Sequence, residues 1–467
     1  MARIAVIGAG MGAMATAARL AVAGHQVTVY ERGATYGGAV GRYARDGFAF
    51  DTGPGLVHLP AVYRDLFVKT GKRPLEECAE LVQIDPAVRY VLPDGRTLTF
   101  PGGSHGGAAA AVDAAFGPGS GDRWSAVLGR ARDAWDATRR PLLEEPLKQD
   151  RSALGRDPYP ALRGSGLLRR RPPTLAEVAA RELGGGGFDE LLTARVRAYG
   201  VDPATAPASA AVLPYMEQTF GSWYVRGGVR ELATAVYERC LERKVAFEFG
   251  AEVREVLVRE GRAAGLVTAD GTEVAADHVV CAADPGGLRI PPAPDSASTR
   301  AAEPARWYTL FAALRGARDA GAAHRTLVGP VTVLRPDDPA TRPDAEHEAV
   351  TVHAVLTGGT APAPSAEDLL TAAERAVPRL RERLLWHELR TPADVEAATG
   401  AVGGRVPAPA LAGAGGRLLH PANTTAVPGL YLAGGWAHPG GGLAHAGMTG
   451  ALVAGLIVEG ADFSGSR

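Results

Sequence analysis

Arg3-Ile4-Ala5-Val6-Ile7-Gly8-Ala9-Gly10-Met11-Gly12-Ala13 opens the chain, and its reading decides the fold. Arg3 to Ile7 is an apolar run of the length of a buried parallel strand. The G-x-G-x-x-A after it is a permitted variant of the dinucleotide-binding fingerprint. In that reading Gly8 allows the tight turn, Gly10 lets the backbone approach a pyrophosphate, and Ala13 keeps the next helix close to the strand. That helix is predicted from about Met11 to Ala23, ending near Gly24. A second strand is predicted over Gln26 to Tyr30. Glu31 then stands where an acidic side chain accepts ribose hydroxyls and repels a 2′-phosphate, which disfavours NADP in this slot. The glycine pattern alone is compatible with an ordinary turn in a Gly-rich chain. The order strand, fingerprint, helix, strand, acid is what makes it a nucleotide site.

The rest of the composition sets bounds. The 467 residues suffice for two or three domains. Fifty Lys+Arg against 51 Asp+Glu leave a net charge of −1, which argues against a nucleic-acid or polyanion partner. Hydrophobic residues at 46% exclude a wholly disordered chain. Cys78, Cys240 and Cys281 are too scattered for a disulfide framework or a zinc site, which points to a reducing, cytoplasmic compartment. No segment reads as membrane-spanning, and the uncharged run Ile4 to Ala18 is too short to be one. The basic-apolar run Leu167-Leu168-Arg169-Arg170-Arg171 reads either as a peripheral membrane contact or as a solvated linker.

Further motifs carry a resemblance. Glu31-Arg32-x-x-x-x-Gly37-Gly38 is followed by Gly47-Phe48-Ala49-Phe50-Asp51-Thr52-Gly53-Pro54. Trp223-Tyr224-Val225-Arg226-Gly227-Gly228 and the run from Ala276 to Pro285 come next. Near the end, Pro428-Gly429-Leu430-Tyr431-Leu432-Ala433-Gly434 leads into His438-Pro439-Gly440-Gly441-Gly442. Together these resemble the phytoene desaturase family of FAD-dependent oxidoreductases, similar in fold to amine oxidases and protoporphyrinogen oxidases. The resemblance implies an α/β fold: a Rossmann-type FAD-binding domain built from the discontinuous segments 1–70, 215–290 and 410–467. A mixed α+β substrate-binding domain, 71–214 and 291–409, is inserted.

FAD is the implied cofactor. The implied contacts come from Gly8, Gly10, Met11, Gly12, Ala13, Glu31, Arg32, Gly37, Gly38, Gly53 and Pro54 at the start of the chain, and from Val253 in the middle. Gly434, Gly435, Gly442, Leu443, Ala444 and His445 complete the set, with small residues passing under the flat ring. A closing helix over Met448 to Val458 aims its positive end at the ring. The chain departs from the family in places. Ala39 stands where an Arg reaches the pyrophosphate region, leaving Arg42 as the nearest substitute. Val225 replaces a Pro, and Gly435 stands where many flavoproteins have Asp. His445 occupies a position the family gives to glycine. It is the first catalytic candidate, able to tune the flavin, donate to a substrate carbonyl or relay a proton; the alternative is a capping His facing solvent. His438 is the second candidate, placed near the substrate face.

No nucleophile, carboxylate pair or metal cluster is evident, and His347 and His353 read as ordinary surface or core histidines. The implied activity is desaturation of C–C bonds in an apolar polyene or isoprenoid, or in a specialised-metabolism substrate, by hydride transfer to flavin. One alternative is an isomerase or cyclase acting on a polyene with reduced flavin, His445 donating the proton. A second is an amine oxidase with Trp436, Tyr431 and Trp223 as an aromatic cage, for which Lys69, Lys72, Lys148 and Lys244 offer no good lysine near the flavin. A non-catalytic flavin-binding protein is the third. Other expected elements are helices over Asp122 to Leu142, Thr174 to Glu182, Val229 to Arg243 and Ala366 to Glu388. Strands are expected at Val245 to Phe249, Trp307 to Leu314 and Ala349 to Leu356, and a hairpin over Val253 to Val274 turning at Asp270-Gly271.

Overall fold

The computed structural model describes residues 1–162, 171–290, 304–358, 362–460 and 462–465. A five-stranded sheet of parallel strands organises the cofactor side of the molecule. Its strands run, in spatial order, Ala246–Phe249, Gln26–Glu31, Arg3–Ile7, His278–Cys281 and Leu430–Leu432. Strands from three distant parts of the sequence therefore share one sheet.

Both faces of this sheet are covered, which is why its strands are apolar at consecutive positions. Val6, Val29 and Val280 face one side, against the helices Met11–Val22, Val229–Glu242 and Leu443–Val458. Ala5, Ile7, Val279 and Cys281 face the other, against Val256 and Leu266. Those two come from an antiparallel meander of Val253–Arg259, Arg262–Thr268 and Glu273–Ala275. The expected hairpin is thus three strands. Its additional first turn uses Glu260 at φ 51° beside Gly261 at φ 75°, and Glu is not a residue that announces a left-handed turn.

A second, mostly antiparallel sheet lies across the molecule. Its order is Leu384–Arg390, Ala305–Arg315, His347–Leu356, Val331–Leu334, Arg325–Val328, Val88–Val91 and Thr97–Phe100. The helix expected over Ala366 to Glu388 is corrected here. It is helical over Ala366–Glu374 and Leu380–Arg383 only, and Leu384–Arg390 is an edge strand on Ala305–Arg315. Pro378 interrupts the helical run, and strand pairing captures its C-terminal part. The other expected helices stand close to their predicted bounds: Ser120–Arg139, Leu175–Glu182 and Val229–Glu242. The last helix begins at Leu443, earlier than expected.

Most of the basic-apolar run falls within 163–170, outside the described residues; Arg171 pairs with Glu177 at 2.6 Å. Among the described residues no helix is long and apolar enough to cross a membrane.

The first and last helices meet at van der Waals limits. A Cβ at Gly450 would lie 2.7 Å from both the carbonyl carbon and the Cβ of Ala15. A Gly450→Leu substitution should therefore destabilise the protein by about 1–3 kcal/mol or more through overpacking, seen as a lower urea midpoint. An unchanged midpoint would show that the helix pair can spread.

Candidate functional site

One large cavity, about 420 Å³, separates the two sheets. Its first wall is built by the fingerprint. Gly8 turns the chain at φ +90°, a conformation that favours glycine. A Cβ on Gly10 would meet nothing within 4 Å, so this position faces open space. Gly12 is the opposite: a Cβ there would lie 2.7 Å from the Gly434 Cα. It would also lie 2.9 Å from the Ala446 carbonyl oxygen, so two helix starts meet here, those of Met11–Val22 and Leu443–Val458. Neither has a side chain capping its N-terminus. Their free N–H groups and dipoles make this wall receptive to negative charge.

Glu31 ends its strand at the cavity edge. Its Oε2 accepts the Ala9 N–H and its Oε1 the Gly33 N–H, both at 2.7 Å, which fixes the carboxylate. Arg32 donates to the Glu396 carbonyl at 3.3 Å and also to that of Ala397. A nucleotide with a pyrophosphate and ribose fits this set: an acceptor fixed at the end of the second strand, a glycine open to the cavity, and two uncapped helix starts.

Of the residues expected to contact a cofactor, sixteen line the cavity: Gly8, Gly10, Met11, Gly12, Glu31, Arg32, Gly37, Gly38, Pro54, Val253, Gly434, Gly435, Gly442, Leu443, Ala444 and His445. Four expected site residues, Ala13, Gly53, Arg42 and His438, are not among those that line it. Ala13 is fully buried behind the wall and serves packing. Gly53 is pressed on Ala39, where a Cβ would lie 2.2 Å from the carbonyl oxygen. Arg42 donates to the Gly227 carbonyl at 2.5 Å and pairs with Glu231 at 3.5 Å, so it does not replace the missing Arg. His438 is wholly buried and away from the cavity, with Nε2 at 2.9 Å from the Glu145 carbonyl.

His445 sits in the first turn of the last helix and faces the cavity rather than bulk solvent, at 9% exposure. Burial lowers its imidazole to about 4, so it is neutral at physiological pH. It has no hydrogen-bond partner among the described residues.

The second wall has no signature in the sequence. It comprises one face of the outer sheet and three other segments. Arg325 lies opposite Leu334, Thr332 opposite His353, and Trp307 opposite Val355, all lining the cavity. His353 Nδ1 lies 3.0 Å from the Thr309 hydroxyl, while its Nε2 and the Trp307 indole N–H are buried without partners. Arg325 donates from Nη1 to Glu217 Oε2 at 3.0 Å, and His58 Nε2 is 3.6 Å from Glu217 Oε1. Burial alone would raise the Glu217 carboxyl, but Arg325, with His58 and Arg195, pulls it down to about 2. Nothing in the local spacing around Tyr199 and Glu217 announces a partner more than a hundred residues away. Of the three aromatic residues considered for an amine-oxidase cage, only Trp436 lines the cavity, and no lysine does among the described residues.

Against this geometry, a family profile for flavin containing amine oxidoreductases matches residues 14–458. The zeta-carotene-forming phytoene desaturase of Myxococcus xanthus is 31% identical over 284 residues, covering 60% of this chain and 53% of that protein. The chain thus matches about half the length of the first curated relatives, at 53–55%. The hydroxyneurosporene desaturase of Rubrivivax gelatinosus is 28% identical, covering 98% of this chain and 94% of that protein. A putrescine oxidase structure with bound putrescine superposes with a TM-score of 0.68 at 15% identity, covering 98% of this chain and 99% of that one. At that identity the likeness is one of fold.

The walls can be probed by substitution and by pH. Gly10 has extended backbone, φ −71° and ψ 172°, which valine adopts freely. Gly10→Val should leave far-UV circular dichroism intact while the purified protein loses most of its flavin absorbance. Full flavin content would show that the cofactor does not cross Gly10.

Acidification acts on the buried imidazoles. Burial holds His353, His438 and His445 at about 4 and His324 at about 3. Each imidazole binds its proton more readily unfolded, so its contribution is complete above pH 6.5 and is lost as pH falls toward 4. Asp51, raised to about 6 by burial, acts in the opposite sense but is a single group. Stability should therefore fall on acidification below pH 6.5, by up to about 1.4 kcal/mol per pH unit for each imidazole. Urea midpoints between pH 7.5 and 5.5 should show it, and His445→Gln should flatten the slope by about one proton.

Proposed function

The chain belongs to the flavin containing amine oxidoreductase family, an FAD-dependent oxidoreductase family, and from that premise we propose that it desaturates C–C bonds in an apolar, isoprenoid-like substrate. The observation that carries this reading is the shared cavity. A glycine-rich nucleotide wall faces a wall that is mostly aliphatic and aromatic, with Leu334, Val355, Met216 and Trp307 among its residues. The names of the matched relatives, carotenoid desaturases, point the same way. In this proposal the segments 1–70, 215–290 and 410–467 form the cofactor domain, and 71–214 and 291–409 the substrate domain.

FAD, when bound, supplies an acceptor for a hydride from a saturated carbon. Gly8, Gly10, Gly12 and Glu31 would hold its nucleotide part, and Gly434, Gly435 and Gly442 to His445 would line its ring. The chain's own contribution is alignment and dryness: the aliphatic wall orients an extended chain and excludes water. His445 presents its imidazole to the cavity, but burial holds it at about 4, which makes it a weak acceptor for the proton that leaves the neighbouring carbon. At pH 7 almost none of it carries the proton that a donor needs, which weighs against an isomerase driven by His445. That no lysine lines the cavity among the described residues weighs against amine oxidation.

Anaerobic mixing of the oxidised holoprotein with acyclic isoprenoids tests the reading. The panel is phytoene in liposomes and geranylgeranoic acid in detergent, with putrescine and benzylamine as amine controls. Bleaching of the visible flavin band by an isoprenoid and by neither amine is the expected result. Bleaching by an amine with peroxide release, or by no isoprenoid while dithionite still reduces the flavin, overturns it.

A further inference from the structure

The apolar cavity ends in buried charge that does not cancel. Arg325 is 4% exposed, Glu217 is 4%, and Arg195 is 2%. Glu217 is the one carboxylate among them, and it serves two guanidinium groups: Arg325 Nη1 at 3.0 Å and Arg195 Nε at 3.9 Å. Arg195 is not part of the cavity lining; it donates to the Tyr90 hydroxyl, and its guanidinium lies over the rings of Phe100 at 4.8 Å and Tyr90 at 5.6 Å. Arg325 does line the cavity. Glu217 is its one hydrogen-bond partner among the described residues, although a guanidinium carries five N–H donors and this one lines the cavity. His58, near Glu217, adds no negative charge. The cluster therefore holds two permanent cations and one anion, all with buried side chains.

Two buried cations that share one anion leave a positive charge that is costly unless something neutralises it. A pure hydrocarbon cannot do so, and an amine would be repelled. Further along the same face, the Thr332 side and the bare His353 Nε2 offer more polar groups, so the charged end grades into the apolar one.

We infer that the substrate carries a terminal carboxylate, which Arg325 receives at the inner end of the cavity while the apolar chain lies along the outer sheet toward the flavin wall. Arg325 is then the residue that sets specificity and registers the reacting carbons. This rests on the dehydrogenase reading for its redox step but not for its binding step, and the two are tested apart.

The test is calorimetric titration of the anaerobic, photoreduced holoprotein, which can accept no hydride, with geranylgeranoate and with geranylgeraniol in the same detergent. These probes share their chain and differ in the head group. Geranylgeranoate should bind about ten- to a hundredfold more tightly, the worth of a charge-assisted hydrogen bond in a buried site. Arg325→Met should abolish that preference while retaining flavin, and Arg325→Lys should keep part of it. Where Arg325→Met does not fold, Glu217→Gln serves instead: with one anion fewer it should tighten the acid severalfold and leave the alcohol unchanged. Equal affinities, tighter binding of the alcohol, no binding of either, or a preference that survives Arg325→Met or ignores Glu217→Gln would each overturn the inference. Because no turnover is involved, loss of the preference leaves the desaturase reading standing. Failure of flavin bleaching likewise leaves a measured acid preference standing.

Discussion

Backbone touching backbone at Gly12 and Gly434 is the contact on which the rest of the structure depends. The two residues lie at opposite ends of the sequence, and a Cβ on Gly12 would fall 2.7 Å from the Gly434 Cα. No side chain larger than hydrogen is compatible with that approach without backbone movement. The same closeness continues along the helices, where Gly450 is pressed on Ala15. Its consequence is electrostatic. Two uncapped helix N-termini open onto one cavity, so the positive ends of two dipoles act on the same space. Small residues are concentrated here because a nucleotide and a flat ring both require the backbone itself to come near.

The opposite wall obeys a different logic. Buried ion pairs are weak contributors to stability, because desolvation offsets most of the attraction. Arg195, Arg325 and Glu217 therefore need another reason to be inside, and a hydrophobic replacement of similar volume would serve packing as well. Their unequal charge count supplies one. The same arrangement explains why Glu217 remains ionised although fully enclosed: its carboxyl is held at about 2 by the guanidinium groups and the nearby imidazole. By contrast His353 and His445, with no anion against them, are held at about 4 by burial and are neutral.

Legibility in the sequence divides along the same line. The nucleotide wall is local: strand, turn, helix and acid succeed one another within Arg3 to Glu31, and each has a signature that spacing reveals. The closing glycine run is equally legible. The second wall is not local. His58, Tyr199, Glu217 and Arg325 come from a two-residue strand, a loop, a helix and an outer strand, and no periodicity links them. His353 reads as an ordinary histidine in the sequence because nothing beside it is a partner; its partner, Thr309, is across the sheet. Arg42 and His438 mislead for the converse reason. Their motif positions suggest a role, while the tertiary structure gives their hydrogen bonds to Gly227 and Glu145.

The charge imbalance also bears on how the molecule is ordered in energy. A cation left without its full complement of partners stores an unfavourable interaction in the ligand-free protein, and a ligand anion would relieve it. Binding at the inner end would then be strongest for the chemistry that completes the hydrogen bonds of Arg325, irrespective of how well the chain behind it packs. An aliphatic wall cannot by itself fix an extended chain along its own axis, since sliding by one methylene exchanges one apolar contact for another of nearly equal value. A single charged anchor breaks that degeneracy. Under the proposed desaturation, register against a flat ring decides which C–C bond is presented, so the burial of Arg325 and the position of the reacting bond would be parts of one constraint.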